Sequence, residues 1–290
     1  MIGGLAAGPG CPVRIMGIIN TSPESFHKSS VSISRDMVAG AAARMAENGA
    51  DYIDVGGMST APYLDTWVSE DVERERVVSG VNAVAESCGL PVSVDTCRSG
   101  VAAAAMDAGA SILNDVTGLM YDPDMRSVIS KYDPSVVLCA HDPGTRTGDA
   151  ADTAAILSGA VRRALEYGAD PDKLAVDPAI GFFRDGGREG LHTRIRGDWA
   201  RRDAAILGRL REVGGGLPVL VSASNKSFIG RMLDGREPGG RMFGSLAAEA
   251  LAVAGGADII RTHNVAESRD AVRVASAVMG RPGLVQKSAT

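Results

Sequence analysis

Aromatic side chains make up only 4% of this 290-residue chain. Bases stack on aromatic platforms, so that share argues against a protein built to hold single-stranded nucleic acid. Basic residues are not in excess: 30 lysines and arginines meet 35 acids, for a net charge of -5, and the footprint of a phosphate-backbone binder is missing. Cysteine is scarce as well. Cys11, Cys88, Cys97 and Cys139 are far apart and form no Cys-x-x-Cys pair, which excludes a disulfide framework and a zinc knuckle and suits a reducing cytoplasm. No apolar run approaches the roughly 18 residues of a membrane span, and the first eleven residues lack the charged and apolar regions of a signal peptide. Neither a nucleic-acid nor a membrane partner is expected.

What the chain does have is a recurring unit, a short apolar run that ends in a polar residue and is followed by a helical stretch. Residues 13–19 read as a first strand ending at Asn20, and residues 34–49 as a helix stopped by Gly49. Strands follow at 52–55, at 91–94 ending in Asp95, at 111–113 ending in Asn114, at 136–140, and at 174–176 ending in Asp177. Ser69 with the acids after it reads as a helix cap. A long connection over 181–196 leads to a helix over 199–213. The run beginning at Leu217 opens into Ser224-Asn225-Lys226-Ser227, and the last strand, 258–260, ends in Arg261, Thr262 and His263. The closing helices are placed at 247–254 and 266–279. Eight such units predict a single (β/α)8 barrel domain over residues 1–290, with its site at the carboxyl ends of the strands. An open doubly wound sheet is the alternative, but the first strand lacks the glycine-rich phosphate fingerprint that such a sheet leads one to expect.

On that topology Asn20, Asp95, Asn114, Asp177, Lys226, Arg261 and His263 converge on one mouth. Asp95, Asn114, Asp177 and Lys226 offer carboxylates, an amide and a cation, which suit a flat heterocycle with a guanidine-like edge and a ring carbonyl. Arg261, His263 and Asn20 read as an anion-handling corner, because loops after the last two barrel strands frequently hold phosphate and an amide oxygen is a hard ligand for magnesium. Asp54 and Asp115 read as acids that support the site or the fold without touching substrate, Cys97 as pocket wall, His141 as lining the mouth or closing a hydrogen bond near Asp142, and His27 and His192 as exposed loop residues.

Seven ordered blocks resemble one family over nearly the whole chain. They are Met16-Gly17-Ile18-Ile19-Asn20 with Ser22 to Phe26; Asp54 to Gly57 with Ser59-Thr60; Ser93 to Thr96; Ile112 to Val116; Asp177-Pro178 with Gly181-Phe182; Lys226 to Gly230; and Arg261 with His263. The chain resembles dihydropteroate synthase, which joins an arylamine to 6-hydroxymethyl-7,8-dihydropterin diphosphate and expels diphosphate. The resemblance implies a pterin held by Asp95, Asn114, Asp177 and Lys226, a diphosphate held by Asn20, Arg261, His263 and a magnesium ion, and a setting for the leaving group and the amine made by Thr60, Phe182 and Ser227. It also implies a homodimer built through late helices. Asp95, Lys226, Arg261 and His263 are the residues expected to carry the chemistry, and Asn20 the metal.

The chain also departs from the folate-pathway pattern. Ala61 stands where an arginine is usual, Asn225 takes the place of a second cation, Asn264 follows His263 where aspartate is usual, and the first loop has Ser25-Phe26-His27-Lys28 where an Asp-Gly-rich segment is expected. The loop after strand 6 gains Arg184, Arg188, Arg194, Arg196, Arg201 and Arg202. Cations moved outward suggest an acceptor with a more distant negative charge. The expectation is therefore 4-(β-D-ribofuranosyl)aminobenzene 5'-phosphate, as in methanopterin biosynthesis, with p-aminobenzoate and folate biosynthesis as the alternative. A pterin-binding protein that donates methyl groups or has no catalytic role is the reading from another class.

Overall fold

The structure, a computed structural model, describes residues 1–22, 34–58, 67–186 and 190–282. Eight short strands form its centre: β1 (Arg14–Asn20), β2 (Tyr52–Gly56), β3 (Val92–Asp95), β4 (Ile112–Asp115), β5 (Ser135–Cys139), β6 (Leu174–Asp177), β7 (Leu220–Val221) and β8 (Ile259–Thr262). All pair in parallel, in the order β7-β8-β1-β2-β3-β4-β5-β6. The ring closes where Val176 of β6 bridges Val219, just ahead of β7, and the Val176 amide donates to the Pro218 carbonyl at 2.9 Å. The predicted barrel is therefore observed, with strand ends within one or two residues of those expected.

Helices lie between successive strands: α1 (Arg35–Glu47), α2 (Glu70–Cys88), α3 (Ser99–Asp107), α4 (Met125–Tyr132), α5 (Ala150–Glu166), α6 (Trp199–Leu207), α7 (Leu210–Gly214), α8 (Ser227–Met232), α9 (Met242–Gly255) and α10 (Val265–Val278). The Ser34 and Ser69 hydroxyls accept from the amides of Met37 and Val72, capping α1 and α2 as read from the sequence. The helix expected over 199–213 is two helices, because the backbone leaves the helix at Gly208 and Arg209. Within the long connection, Phe183–Arg184 and Thr193–Ile195 pair, and the second of these also pairs with Thr145–Arg146, making a three-stranded parallel sheet beyond β5 and β6. Runs of two or three residues are too short to show a strand's period of two, so this sheet is silent in the sequence.

The same period decides what faces the barrel axis. Met16, Tyr52, Ile112, Val137, Ala175, Leu220 and Ile259 form an inner cluster separate from the larger core between strands and helices. Two residues further along their strands stand Asp54 after Tyr52, Asn114 after Ile112, Asp177 after Ala175 and Arg261 after Ile259. An apolar floor is thus topped by a polar layer on the same face. The amino-terminal segment seals that floor: Ile2 bridges Leu5, is fully buried in the inner cluster, and is flanked by Gly3, whose amide donates to the Ser135 hydroxyl at 3.0 Å.

Candidate active site

Strand register sets the first side of the site. Asn20 of β1 stands opposite Gly56, Gly56 opposite Asp95, and Asp95 opposite Asn114, so four adjacent strands present their last inward positions at one level. Gly56 matters in this row. A Cβ there would lie 3.5 Å from the Asn20 carboxamide oxygen and 3.7 Å from the Asp95 Cβ, so glycine leaves the space between the two polar side chains open.

Arg261 crosses the barrel from β8 to join this row. Its Nε donates to Asp54 at 2.6 Å and its Nη2 donates to Asp95 at 2.6 Å, while the Asn114 amide donates to the same Asp54 oxygen at 3.4 Å. Asp54, read from the sequence as an acid that supports the site or the fold, is fully buried inside the barrel and orients Arg261. Nor do the acids and the anion corner form two separate groups, since Arg261 belongs to both. Burial disfavours the guanidinium, but the charges of Asp54 and Asp95 outweigh it and hold Arg261 more firmly protonated than usual. Asp95 is pushed up to about 7 by desolvation, against the opposing pull of Arg261. Asp177 is raised by the same cause, while its carboxylate accepts the Ala179 amide at 2.7 Å.

Lys226 enters from the other side, at the residue that precedes α8. Its ammonium lies 4.6 Å from the centroid of the Phe182 ring, and its stem passes Gly181 so closely that a Cβ on that glycine would meet Lys226 Cδ at 2.9 Å. Gly181 has φ +91, a left-handed backbone that glycine adopts without strain. Desolvation, then the positive charge of Arg261, push Lys226 down to about 8. Phe182 in turn stacks on His192, with centroids 5.6 Å apart and planes 21° apart. His192 is therefore buried at 7% exposure and not the exposed loop residue expected. A histidine inside a polar loop carries no sequence signal for such stacking.

His263 lies at the rim, exposed to solvent, with its amide donating to the Ser224 hydroxyl at 3.4 Å. Desolvation in the concave mouth and the like charges of Arg261 and Lys226 lower its pKa. Ser227 accepts from Arg184 Nη2 at 2.8 Å. Thr60 and His27, together with Arg188, fall outside the described residues. Cys97 is buried in the larger core, where desolvation pushes its thiol well above the usual range. His141 is buried, and desolvation lowers it to about 4. Asp115 is fully buried and accepts from the amide and hydroxyl of Thr117 at 2.7 and 2.6 Å, a structural turn as expected.

The extra arginines divide into a buried and an exposed set. Arg184 and Arg202 are buried at 5% and 7% exposure and pair with Asp203, whereas Arg194, Arg196 and Arg201 are exposed. A second buried pair was also missed. Glu73 accepts from the Thr96 hydroxyl at 2.7 Å and from Arg98 at 2.6 Å, and Arg98 lies 4.2 Å from the Trp67 ring centroid, tying the segment ahead of α2 to the end of β3.

A parallel barrel whose strand ends gather three carboxylates, two carboxamides, a lysine and an arginine in one mouth defines a small-molecule enzyme of the barrel class. Residues 16–263 match the family described as pterin binding enzyme. Dihydropteroate synthase of Bacillus subtilis is 35% identical over 272 residues, covering 93% of this chain and 90% of that protein. Among solved structures, dihydropteroate synthase from Clostridium difficile in the presence of pteroic acid superposes with a TM-score of 0.82 at 32% identity, covering 94% of this chain and 98% of that one. The Xanthomonas albilineans dihydropteroate synthase in complex with 7,8-dihydropteroate gives a TM-score of 0.79 at 30% identity, covering 93% and 95%. The chain belongs to the dihydropteroate synthase family of pterin-binding enzymes, which are transferases.

Proposed function

We propose that this protein condenses 6-hydroxymethyl-7,8-dihydropterin diphosphate with an arylamine, releasing diphosphate. The observation that carries the reading is the pairing of Arg261 with both Asp54 and Asp95 inside the barrel, with the Asn114 amide on the same Asp54 oxygen and Lys226 near enough to feel the charges of Arg261 and Asp177. Asp95, Asn114 and Asp177 supply acceptors and an amide for the pterin edge, and Lys226 supplies a donor for its carbonyl. The carbon–oxygen bond to diphosphate breaks with the electron pair leaving on oxygen. The positive charge left on the exocyclic carbon spreads into the ring, where the Asp95 carboxylate stabilises it. The amine nitrogen then bonds to that carbon and loses a proton to solvent. Arg261 and His263 face the departing anion, while Ser227 and Phe182, with Thr60, frame the amine.

Asn20 fits a magnesium ion held mainly by the substrate. Among the described residues no cluster of three or more His, Cys, Asp or Glu side chains could hold a metal, and Asp54 is occupied by Arg261, so Asn20 would be one hard oxygen ligand beside phosphate oxygens and water. When bound, the ion would neutralise charge on the diphosphate.

For the acceptor we favour p-aminobenzoate. The phosphorylated ribosyl acceptor drew its support from outward-placed arginines, and Arg184 is buried against Asp203 and Ser227. The folate-pathway names of the relatives support the same choice. We further read the protein as a cytoplasmic homodimer. Four free cysteines support the compartment. Among the described residues, no helix is long and apolar enough to cross a membrane. An open groove of about 640 Å³ between α9 and α10 supports the dimer, being lined by Leu246, Leu251, Val274, Val278 and Met279. The test is a magnesium-dependent assay with the pterin diphosphate, offering p-aminobenzoate and the ribosylated aminobenzene phosphate in parallel and following product mass. Formation of 7,8-dihydropteroate is expected; product only from the phosphorylated amine would reassign the acceptor, and none from either would overturn the transferase reading.

A further inference from the structure

Helix α6 lies behind the site, yet two of its neighbouring side chains reach into the loop after β6. Arg202, at 7% exposure, donates to the carbonyls of Gly148, Ala179 and Pro178 at 3.0, 3.3 and 2.7 Å, and to the Thr153 hydroxyl at 3.1 Å. These bonds tie α6 to the backbone after β6 and to α5. Asp203, fully buried, does something else: one oxygen accepts from Arg202 at 3.1 Å, and the other accepts the Gly181 amide at 3.1 Å and Arg184 Nη1 at 3.2 Å. Arg184 does not end there. Its Nη1 also donates to the Phe183 carbonyl at 2.7 Å, its Nη2 donates to the Ser227 hydroxyl at 2.8 Å, and its guanidinium lies 4.1 Å from the Trp199 ring centroid.

Gly181 and Ser227 both adjoin Lys226. Gly181 touches the lysine stem, and Ser227 is the next residue in the chain. We propose that Asp203 and Arg184 are positioning residues for Lys226: the carboxylate fixes the Gly181 wall through its amide, and the arginine carries the same anchor across to Ser227. This deepens the transferase reading and rests on it for its kinetic part.

A buried carboxylate hub can also serve stability alone, and the chain contains one for comparison. Asp258, at the amino end of β8, accepts from Arg211 at 3.0 Å through each oxygen, from Arg281 at 2.7 Å and from the Val219 amide at 3.1 Å, all at the end of the barrel away from Lys226. A chain that only needed packing would answer alike to damage at either hub.

The experiment compares Arg184→Met, Arg184→Lys and Asp203→Asn with Arg211→Met as the stability control. The titratable and charged groups around Lys226 are Arg261, Asp177, Arg184, Asp203, Asp95, Cys139 and His263. With five lysines in the chain, reductive 13C-methylation gives few signals, and their comparison with a Lys226→Arg sample assigns the one that titrates near 8. Removing the Arg184 cation should raise that midpoint, removing the Asp203 anion should lower it, and Arg211→Met should leave it alone. Arg184→Lys keeps a cation but cannot span two partners, so its midpoint should stay near the wild type while kcat/KM falls about tenfold. An unmoved Lys226 titration in both charge-removing variants, or an equal displacement in Arg211→Met, would overturn the inference. If the wild-type protein makes no product with any arylamine, the transferase reading fails while the titration still decides this one.

Discussion

Arg261 holds together what would otherwise be two carboxylates repelling each other inside a barrel. Asp54 is fully buried, and its pairing with Arg261 at 2.5 Å leaves only the Asn114 amide as a further side-chain donor to it among the described residues. Replacing one partner of a buried pair strands the other, at a typical cost of about 3–5 kcal/mol. Arg261→Met should therefore lower the urea midpoint strongly, and adding Asp54→Asn should return part of the loss; strictly additive losses would show that the pair is not coupled. Lys226 makes a second expectation at this scale. Its pKa is lowered to about 8, so the ammonium is present below that pH and lost above it. If the cation is needed, kcat/KM falls as pH rises through about 8, and Lys226→Arg, which stays charged, moves the basic limb beyond the measurable range. Of these side chains the sequence revealed Asp95, Asn114, Asp177, Lys226 and Arg261, because each follows a short apolar run. Asp54 was legible as a supporting acid, but its partner was not, because Arg261 stands 207 residues further along the chain.

At the scale of elements, strand ends were legible and connections were not. A parallel strand buried on both faces is apolar until the chain leaves the barrel, so the change from Val176 to Asp177 marks both a boundary and a functional position. The connection over 181–196 has no sustained apolar period, and its small sheet, the His192 stack and the burial of Arg184 depend on partners that this period does not reveal. Gly181 shows what local chemistry could have told. With φ +91 and Lys226 Cδ at 2.9 Å from a would-be Cβ, it admits no side chain. Gly181→Ala should cost about 1–3 kcal/mol from backbone strain, and product formation should fall by more than the shift in thermal midpoint accounts for, because the lysine must move. Equal losses in the two measurements would mean that the loop yields without disturbing Lys226.

Among the described residues, the most exposed large apolar side chains are on the last two long helices. Leu251, Val274 and Val278 are 63%, 66% and 78% exposed and lie on one groove. A contiguous apolar surface of this kind marks an association site more often than chance exposure does. Leu251→Asp with Val278→Asp should convert the proposed dimer to a monomer in sedimentation equilibrium, without loss of barrel circular dichroism; wild-type protein already monomeric at micromolar concentration would refute the dimer. The barrel itself was readable from eight repeated units, but its sealed floor was not, since Ile2 and Leu5 look like any loose terminus until their burial is seen. That floor makes the barrel a blind alley. Two reactants and two products have to use one doorway, and the ring that occupies the innermost berth cannot overtake an amine already standing in the entrance. Initial-rate patterns should accordingly be sequential and ordered, with the pterin diphosphate first in and the joined product departing before the next turnover can begin.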